Sequence, residues 1–177
     1  MFVLASSRTG GNTETLARRA AEELPEGAET QWLRLDDLPL ERFYDLRHNG
    51  ERTRPSPTGN ERTLLDATLA ATDIVIASPL YWYSVSASAK LYLDYWTDWM
   101  QVPELNFKQR MSGKKLWGVC VLSDENPARA DALALTLRLT ADYLDMRWGG
   151  VLLGYGDRPG DVVCDNDAMT RAKTFFD

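Results

Sequence analysis

Phe2-Val3-Leu4-Ala5-Ser6-Ser7-Arg8-Thr9-Gly10-Gly11-Asn12-Thr13 is a short apolar run that leads into a polar loop with two glycines. The apolar run predicts a buried strand, and the apolar spacing after the loop predicts a helix over residues 14–24. A helix N-terminus presents unpaired backbone N–H groups and a partial positive charge, and both favour a bound anion. The stretch therefore predicts a strand, a phosphate-binding loop and a helix.

The loop carries groups that suit a phosphate. Gly10 and Gly11 allow the backbone to approach an anion closely, and the Arg8 guanidinium offers a planar fork of donors. An ordinary β–α turn in which Asn12 caps the helix is the alternative. Further side-chain donors are available from Ser6, Thr9, Asn12 and Thr13.

Two common nucleotide-binding motifs are absent from the sequence. There is no GxxxxGK[ST] motif, and no GxGxxG follows the first predicted strand. The stretch from Gly154 to Gly160 has differently spaced glycines, and Pro159 indicates a turn there. A single phosphate monoester fits the first loop best.

Composition excludes several classes of protein. The 177 residues, 44% of them hydrophobic and 26% charged, are typical of one globular domain spanning 1–177. A net charge of −6 argues against nucleic acid or an anionic membrane as a partner. The sequence shows no membrane-spanning run and no signal peptide, its two cysteines fit free thiols, and its one histidine, His48, offers no metal cluster. We therefore expect a cytoplasmic protein without a metal site.

Strand and helix patterns alternate along the chain, which predicts an α/β fold with a parallel sheet and helices on both faces. Five strands favour the order 2-1-3-4-5, which places a ligand crevice at the carboxyl ends of strands one and three. The predicted strands cover residues 2–5, 30–35, 73–78, 116–122 and 151–153, and the predicted helices cover 14–24, 64–71, 87–100, 129–144 and 166–176.

The loop after the third strand contains three consecutive aromatic residues, Tyr81-Trp82-Tyr83. Such rings can pack against a flat heteroaromatic ligand. They could also fill the core, but three adjacent rings cannot all face one core, so at least one must meet ligand, solvent or a partner. A phosphate loop beside an aromatic loop indicates a mononucleotide with a large planar ring, and FMN matches that description.

With these two loops the sequence resembles the NADPH-dependent FMN reductase family of flavodoxin-like proteins. The family's first loop, Gly-Ser-x-Arg-x-x-Ser/Gly-Asn-Thr, is similar to Ala5–Thr13, and its second, Pro-x-Tyr-Trp followed by Ser and Lys, is similar to Pro79–Lys90. The resemblance implies a three-layer sandwich, FMN as cofactor and NADPH or NADH as co-substrate. It also implies FMN contacts from Ser6, Arg8, Gly11, Asn12, Thr13, Pro79, Leu80, Tyr81, Trp82, Tyr83 and Ser123.

The loop after the fourth strand departs from the family pattern. It reads Ser123-Asp124-Glu125-Asn126-Pro127, where the family often has glycines near the flavin. Acids beside an anionic reduced flavin disfavour it, unless they point outward or bond to N–H groups of the ring.

The resemblance implies an oxidoreductase that works by a ping-pong mechanism, passing electrons to a quinone, an azo compound, a flavin or a metal complex. Hydride transfer is the cofactor's chemistry, so no catalytic side chain is expected. A flavodoxin-type electron carrier and a flavodoxin-like interaction protein without cofactor are the alternatives. Arg8 favours the reductase, since carrier flavodoxins usually lack an arginine in this loop.

Two further segments suggest a co-substrate contact and a subunit interface. In the segment 44–62, one arginine is a candidate contact for the NADPH ribose phosphate, and a solvated loop is the alternative. The arginines of this segment are Arg47, Arg52, Arg54 and Arg62. The helix 87–100 has an unusually wide apolar surface, which predicts a homodimer or tetramer, unless the segment 101–112 folds over it.

Overall fold

Five parallel strands form one sheet in the order β2-β1-β3-β4-β5, as the sequence predicts. The structure is a computed structural model, and it describes residues 1–45 and 56–177. The elements are β1 (Phe2–Leu4), α1 (Asn12–Ala21), β2 (Trp32–Arg34), α2 (Gly59–Ala70), β3 (Asp73–Ala77), α3 (Ala87–Met100), α4 (Phe107–Met111), β4 (Lys115–Leu122), α5 (Asp131–Tyr143), β5 (Arg147–Tyr155) and α6 (Asn166–Ala172).

Both faces of the sheet are buried, which explains why its central strands are almost wholly apolar. Val3 and Ile76 belong to the core on one face, whereas Leu4 and Val75 belong to the core on the other. Helices α1 and α6 contribute to the second core, and α2, α3, α4 and α5 contribute to the first. The chain is therefore a three-layer α/β/α sandwich.

The last strand is longer than the three residues predicted. β5 runs from Arg147 to Tyr155, and the sequence obscured it because glycines interrupt its apolar pattern. One of them is required by close packing: a Cβ on Gly149 would lie 2.2 Å from the ring of Trp117. The edge strand is instead shorter than predicted, since only Trp32–Arg34 pair with β1.

The aromatic face of α3 is covered within the chain. Trp96 and Trp99 are buried, and the ring of Phe107 on α4 lies 5.9 Å and 5.5 Å from theirs. The alternative in which the segment 101–112 folds over this helix is therefore confirmed. This contact accounts for the two tryptophans but not for Leu93 and Met100 of the same helix, which are half-buried, so the subunit contact predicted for α3 stays a prediction.

None of the helices in the described residues is long and apolar enough to cross a membrane.

Candidate functional site

The first predicted loop joins the carboxyl end of β1 to the start of α1. Gly10 has a φ of 65°, a left-handed conformation that glycine adopts readily. Gly11 is the N-cap residue of α1, and no side chain among the described residues caps this helix. The first N–H groups of α1 therefore remain available as donors, as at any uncapped helix start.

Four of the five predicted phosphate residues are arranged around this helix start. Ser6 is buried, and its Oγ accepts the backbone N–H of Arg8 at 3.2 Å. Gly11 and Thr13 are also buried, whereas the Arg8 side chain is exposed. The arrangement therefore combines one exposed cation with buried hydroxyl and backbone groups.

Asn12 has a different role from the helix cap considered for it. It is the first residue of α1, and its side chain reaches the loop after β5. Its Nδ2 donates to the Arg158 carbonyl at 2.8 Å, and its Oδ1 accepts the Gly160 N–H at 2.8 Å. The stretch from Gly154 to Gly160, which has no nucleotide-binding glycine motif, thus borders the first loop.

Glu14 is a buried acid beneath the loop that the sequence reading missed. Its carboxylate accepts the Gly10 N–H at 2.9 Å and bonds to Arg18 and Arg34. Burial raises the Glu14 pKa, but these hydrogen bonds and the charge of Arg34 outweigh burial and lower the pKa to about 2. A signal was present in the sequence: Glu14 occupies the third helical position, where an acid commonly bonds to the N–H groups of the helix start.

The second loop leaves β3 at the same edge of the sheet. Ser78 is buried, and its Oγ accepts the Ser86 N–H at 2.8 Å, which closes the base of the loop. The Leu80 N–H donates to the carbonyl of Val121 on the neighbouring strand at 3.1 Å. Pro79 and Leu80 are half-buried. The base of this loop is therefore rigidly attached to the sheet.

The three aromatic residues form a tight turn that projects from the protein. The backbone groups of Tyr81 and Ser84 exchange two hydrogen bonds of 3.1 Å, and Trp82 and Tyr83 between them have φ values of 49° and 63°. The Trp82 side chain is 94% exposed, and Tyr81 and Tyr83 are about half exposed. The prediction that at least one ring leaves the core is confirmed.

The third loop, residues 123–127 after β4, approaches the aromatic turn of the second loop through Arg129. Its guanidinium lies 5.9 Å from the centre of the Tyr83 ring, and its Nε lies 3.2 Å from an oxygen of Asp124. The other oxygen of Asp124 accepts the Asn126 N–H at 2.9 Å. This acid is thus bonded within its own loop, while Ser123 before it is exposed.

Other features lie outside this edge or outside the described residues. Three of the candidate NADPH contacts, Arg47, Arg52 and Arg54, fall with His48 within residues 46–55, which the structure does not describe. The fourth, Arg62, lies on α2, where its Nε lies 2.7 Å from a carboxylate oxygen of Asp66. A cavity of about 340 Å³ between the loop after β2 and α3 adjoins the site at Ser88, whose Oγ bonds to the carbonyl of Ala5. A cavity of about 630 Å³ lies at the opposite, amino-terminal edge of the sheet.

Comparison with known proteins identifies the family. The sequence model of the NADPH-dependent FMN reductases matches residues 1–148. This chain belongs to the NADPH-dependent FMN reductase family. Its cofactor is accordingly FMN, and its activity class is NAD(P)H-dependent oxidoreduction.

Individual relatives agree with this assignment. The protein YwqN of Bacillus subtilis strain 168, which carries the name of an NAD(P)H-dependent FMN-containing oxidoreductase, is 29% identical over 167 residues, 94% of this chain and 90% of that protein. The Trp repressor binding protein from Bacillus subtilis superposes with a TM-score of 0.78 at 24% identity, covering 100% of this chain and 98% of that one.

The fold also matches a solved FMN complex. The FMN-dependent NADH-azoreductase from Bacillus anthracis has a TM-score of 0.61 at 12% identity, with 99% of each chain covered. At that identity the match shows a flavodoxin-like fold and nothing about substrates. The donor set of the first loop, with hydroxyls, a helix start and an arginine, independently fits a phosphate monoester.

Proposed function

We propose that the loop from Ser6 to Thr13 holds the FMN phosphate and that the aromatic turn borders the flavin ring. The observation that carries this proposal is the position of the two loops, which leave neighbouring parallel strands β1 and β3 at the same edge. A mononucleotide bound there can reach both loops at once. The rest of the chain supplies a rigid frame for them.

The phosphate contacts follow from the groups that remain available. Backbone N–H groups at Gly11, Asn12 and Thr13, together with the Ser6 and Thr13 hydroxyls, form the fixed part of the site. Asn12 contributes through its backbone, because its side chain is bonded to Arg158 and Gly160. The exposed guanidinium of Arg8 can close over the anion, since a planar fork of donors matches phosphate oxygens.

The second and third loops would contact the rest of the cofactor. Pro79 and Leu80 form a rigid, half-buried edge for the ribityl chain, and the rings of Tyr81, Trp82 and Tyr83 border the isoalloxazine. Ser123 lies on the third loop and offers a hydroxyl to the polar side of the ring. Because Asp124 is paired with Arg129, its charge is partly offset near a reduced flavin.

Bound FMN supplies the redox chemistry, taking a hydride from NAD(P)H and passing electrons to a second substrate. The chain's residues bind and orient the cofactor, and we assign no side chain as acid, base or nucleophile. We propose that the two substrates occupy the site in turn, in a ping-pong mechanism. Quinones, azo compounds, free flavins and metal complexes are the acceptor classes, and either NADPH or NADH is the donor.

The experiment that tests this function follows the visible spectrum of FMN-reconstituted protein without oxygen, first with NADPH and then with NADH. We expect rapid bleaching, and the faster donor is the preferred one. A bound flavin that stays oxidised would instead identify a flavodoxin-type electron carrier. Parallel initial-rate lines with a quinone acceptor support the ping-pong order, and intersecting lines contradict it.

We also propose a homodimer or tetramer that uses the outer surface of α3 and α5. The side chains of Leu135, Leu139 and Tyr143 on α5 are more than half exposed, and they continue onto half-buried Leu93 and Met100 of α3. A second copy packed there would cover this apolar surface. Leu139→Glu should lower the sedimentation coefficient, whereas Val163→Glu, at an equally exposed apolar residue elsewhere, should not.

A cytoplasmic location is proposed from the cysteines. Both are free thiols: Cys120 is buried in β4, where burial raises its pKa to about 12, and Cys164 is exposed. Unpaired cysteines are typical of reducing compartments, and cell fractionation tests the location directly.

A further inference from the structure

The phosphate loop rests on a pair of oppositely charged residues, the buried Glu14 of α1 and the half-buried Arg34 of β2. The Glu14 side chain is 6% exposed and that of Arg34 is 12% exposed. One carboxylate oxygen of Glu14 accepts both the Gly10 N–H and an N–H of the Arg34 guanidinium. The other oxygen accepts two hydrogen bonds from Arg18, so the carboxylate is fully engaged.

Arg34 also holds the loop itself. Its Nη1 donates to the carbonyl of Arg8 at 3.2 Å and, more weakly, to that of Ser6 at 3.4 Å. The parallel register of β1 and β2, which places Arg34 opposite Leu4, brings the guanidinium directly under the start of the loop. Arg34 thus hydrogen-bonds to two carbonyls of the loop, and Glu14 hydrogen-bonds to its Gly10 N–H.

These contacts set which way the loop's polar groups point. Carbonyl oxygens are electronegative and repel a phosphate, so a loop that binds one must turn them away. Arg34 draws two of them inward. The charge of Glu14, which would otherwise repel an anion nearby, is offset by Arg34 and Arg18.

We propose that Arg34 is a positioning residue for FMN, which holds the loop in its phosphate-binding conformation from below without contacting the phosphate. Both terminal nitrogens of Arg34 are already bonded to protein groups beneath the loop, so direct phosphate contact belongs to Arg8 and the backbone. The inference rests on the proposed function, because it requires the phosphate to bind in this loop.

The decisive variant is Arg34→Lys, which keeps a positive charge beside Glu14 but cannot bridge the carboxylate and two carbonyls at once. FMN and riboflavin differ only in the phosphate, so their dissociation constants, measured by flavin fluorescence quenching, separate an effect on this loop from an effect on the whole fold. Arg19→Lys is the matched control, since it makes the same substitution at an arginine on the helix of Glu14 that pairs with Glu22 and Glu23 at the surface.

We expect wild-type protein and the control to bind FMN more tightly than riboflavin. Arg34→Lys should lose at least about tenfold in FMN affinity while riboflavin affinity stays within about twofold. Hydrogen exchange of the loop amides in flavin-free protein should rise in Arg34→Lys and not in the control.

Each other outcome has a distinct meaning. An unchanged FMN affinity in Arg34→Lys overturns the inference, because charge alone would then be sufficient. An equal loss for both ligands also overturns it, because the residue would then support the fold in general. If the wild-type protein itself does not distinguish the two flavins, the proposed phosphate site fails instead.

Discussion

The side-chain oxygen of Asn12 accepts the backbone N–H of Gly160 at 2.8 Å, across 148 residues of sequence. The contact fixes the loop after β5 against the start of α1. The space beside this contact is small, because a Cβ on Gly156 would lie 2.6 Å from the Asn12 Nδ2. The loop proposed to bind phosphate is thus supported by Asn12 on this side and by Arg34 from below.

Replacing Asn12 with Asp should weaken FMN binding selectively. The carboxylate still accepts the Gly160 N–H, but its second oxygen cannot donate to the Arg158 carbonyl, and the lost bond costs about 1–3 kcal/mol. The new charge at the helix N-terminus recovers about 0.3–1 kcal/mol of this. Urea unfolding should therefore show a loss of no more than about 3 kcal/mol, while the FMN affinity of the folded protein falls at least about tenfold through repulsion of the phosphate.

Asn60→Asp is the matched control for this substitution. Asn60 lies in the first turn of α2, and its amide likewise donates to a backbone carbonyl, that of Pro39, at 3.0 Å. We expect its FMN affinity to match that of the wild type. Undiminished FMN affinity in Asn12→Asp would place the phosphate away from this helix start.

The sequence predicted the sheet well because its signals are local. Apolar runs identified the strands, and their alternation with helices led to the observed strand order. The contacts of Asn12 and Arg34 could not be predicted in the same way. They depend on a loop 148 residues distant and on the register of an edge strand of three residues, and neither leaves a periodic pattern.

The aromatic residues of α3 show a second reason why a contact could not be predicted from the sequence. Their spacing correctly indicated a wide apolar surface, but spacing does not reveal what covers it. The five residues of α4 do so, with Phe107 and Met111 buried against the same core. A helix that short carries too little pattern to be predicted by periodicity.

Trp99→Ala should destabilise the individual subunit. Trp99 is fully buried, and its Nε1 donates to Glu61 at 3.0 Å, so the truncation creates a cavity and removes a hydrogen bond. We expect the free energy of unfolding to fall by about 3–5 kcal/mol. The loss should be the same at low and high protein concentration, and a loss confined to dilute protein would place Trp99 in a subunit interface.

The free energy of unfolding should depend on the ionisation of Glu14 at acid pH. Its pKa falls from 4.5 to about 2 on folding, so ionised Glu14 stabilises the protein above the unfolded pKa, and this stabilisation is lost as the pH falls toward 2. The shift corresponds to roughly 3 kcal/mol. Urea unfolding between pH 6 and pH 2 should therefore show a steeper loss for wild type than for Glu14→Gln.

Glu22→Gln provides the comparison for this titration. Glu22 pairs with Arg19, but its side chain is 64% exposed, and such surface pairs contribute little to stability. Its pH profile should follow that of the wild type. If the Glu14→Gln profile also runs parallel to wild type, Glu14 is not preferentially ionised in the folded protein.

Relieving the positive φ values at Trp82 and Tyr83 should raise the stability of the protein and weaken its binding of flavin. Both residues have positive φ, which costs a non-glycine residue roughly 1–2 kcal/mol, and Asn-Gly is the pair that such a turn favours. The double variant Trp82→Asn/Tyr83→Gly should therefore unfold at higher urea concentration. Its affinities for FMN and riboflavin should both fall, because the proposed function places these rings beside the flavin ring and not beside the phosphate. A variant that gains stability and binds both flavins as tightly as wild type would leave the strain of this turn without a role in cofactor binding.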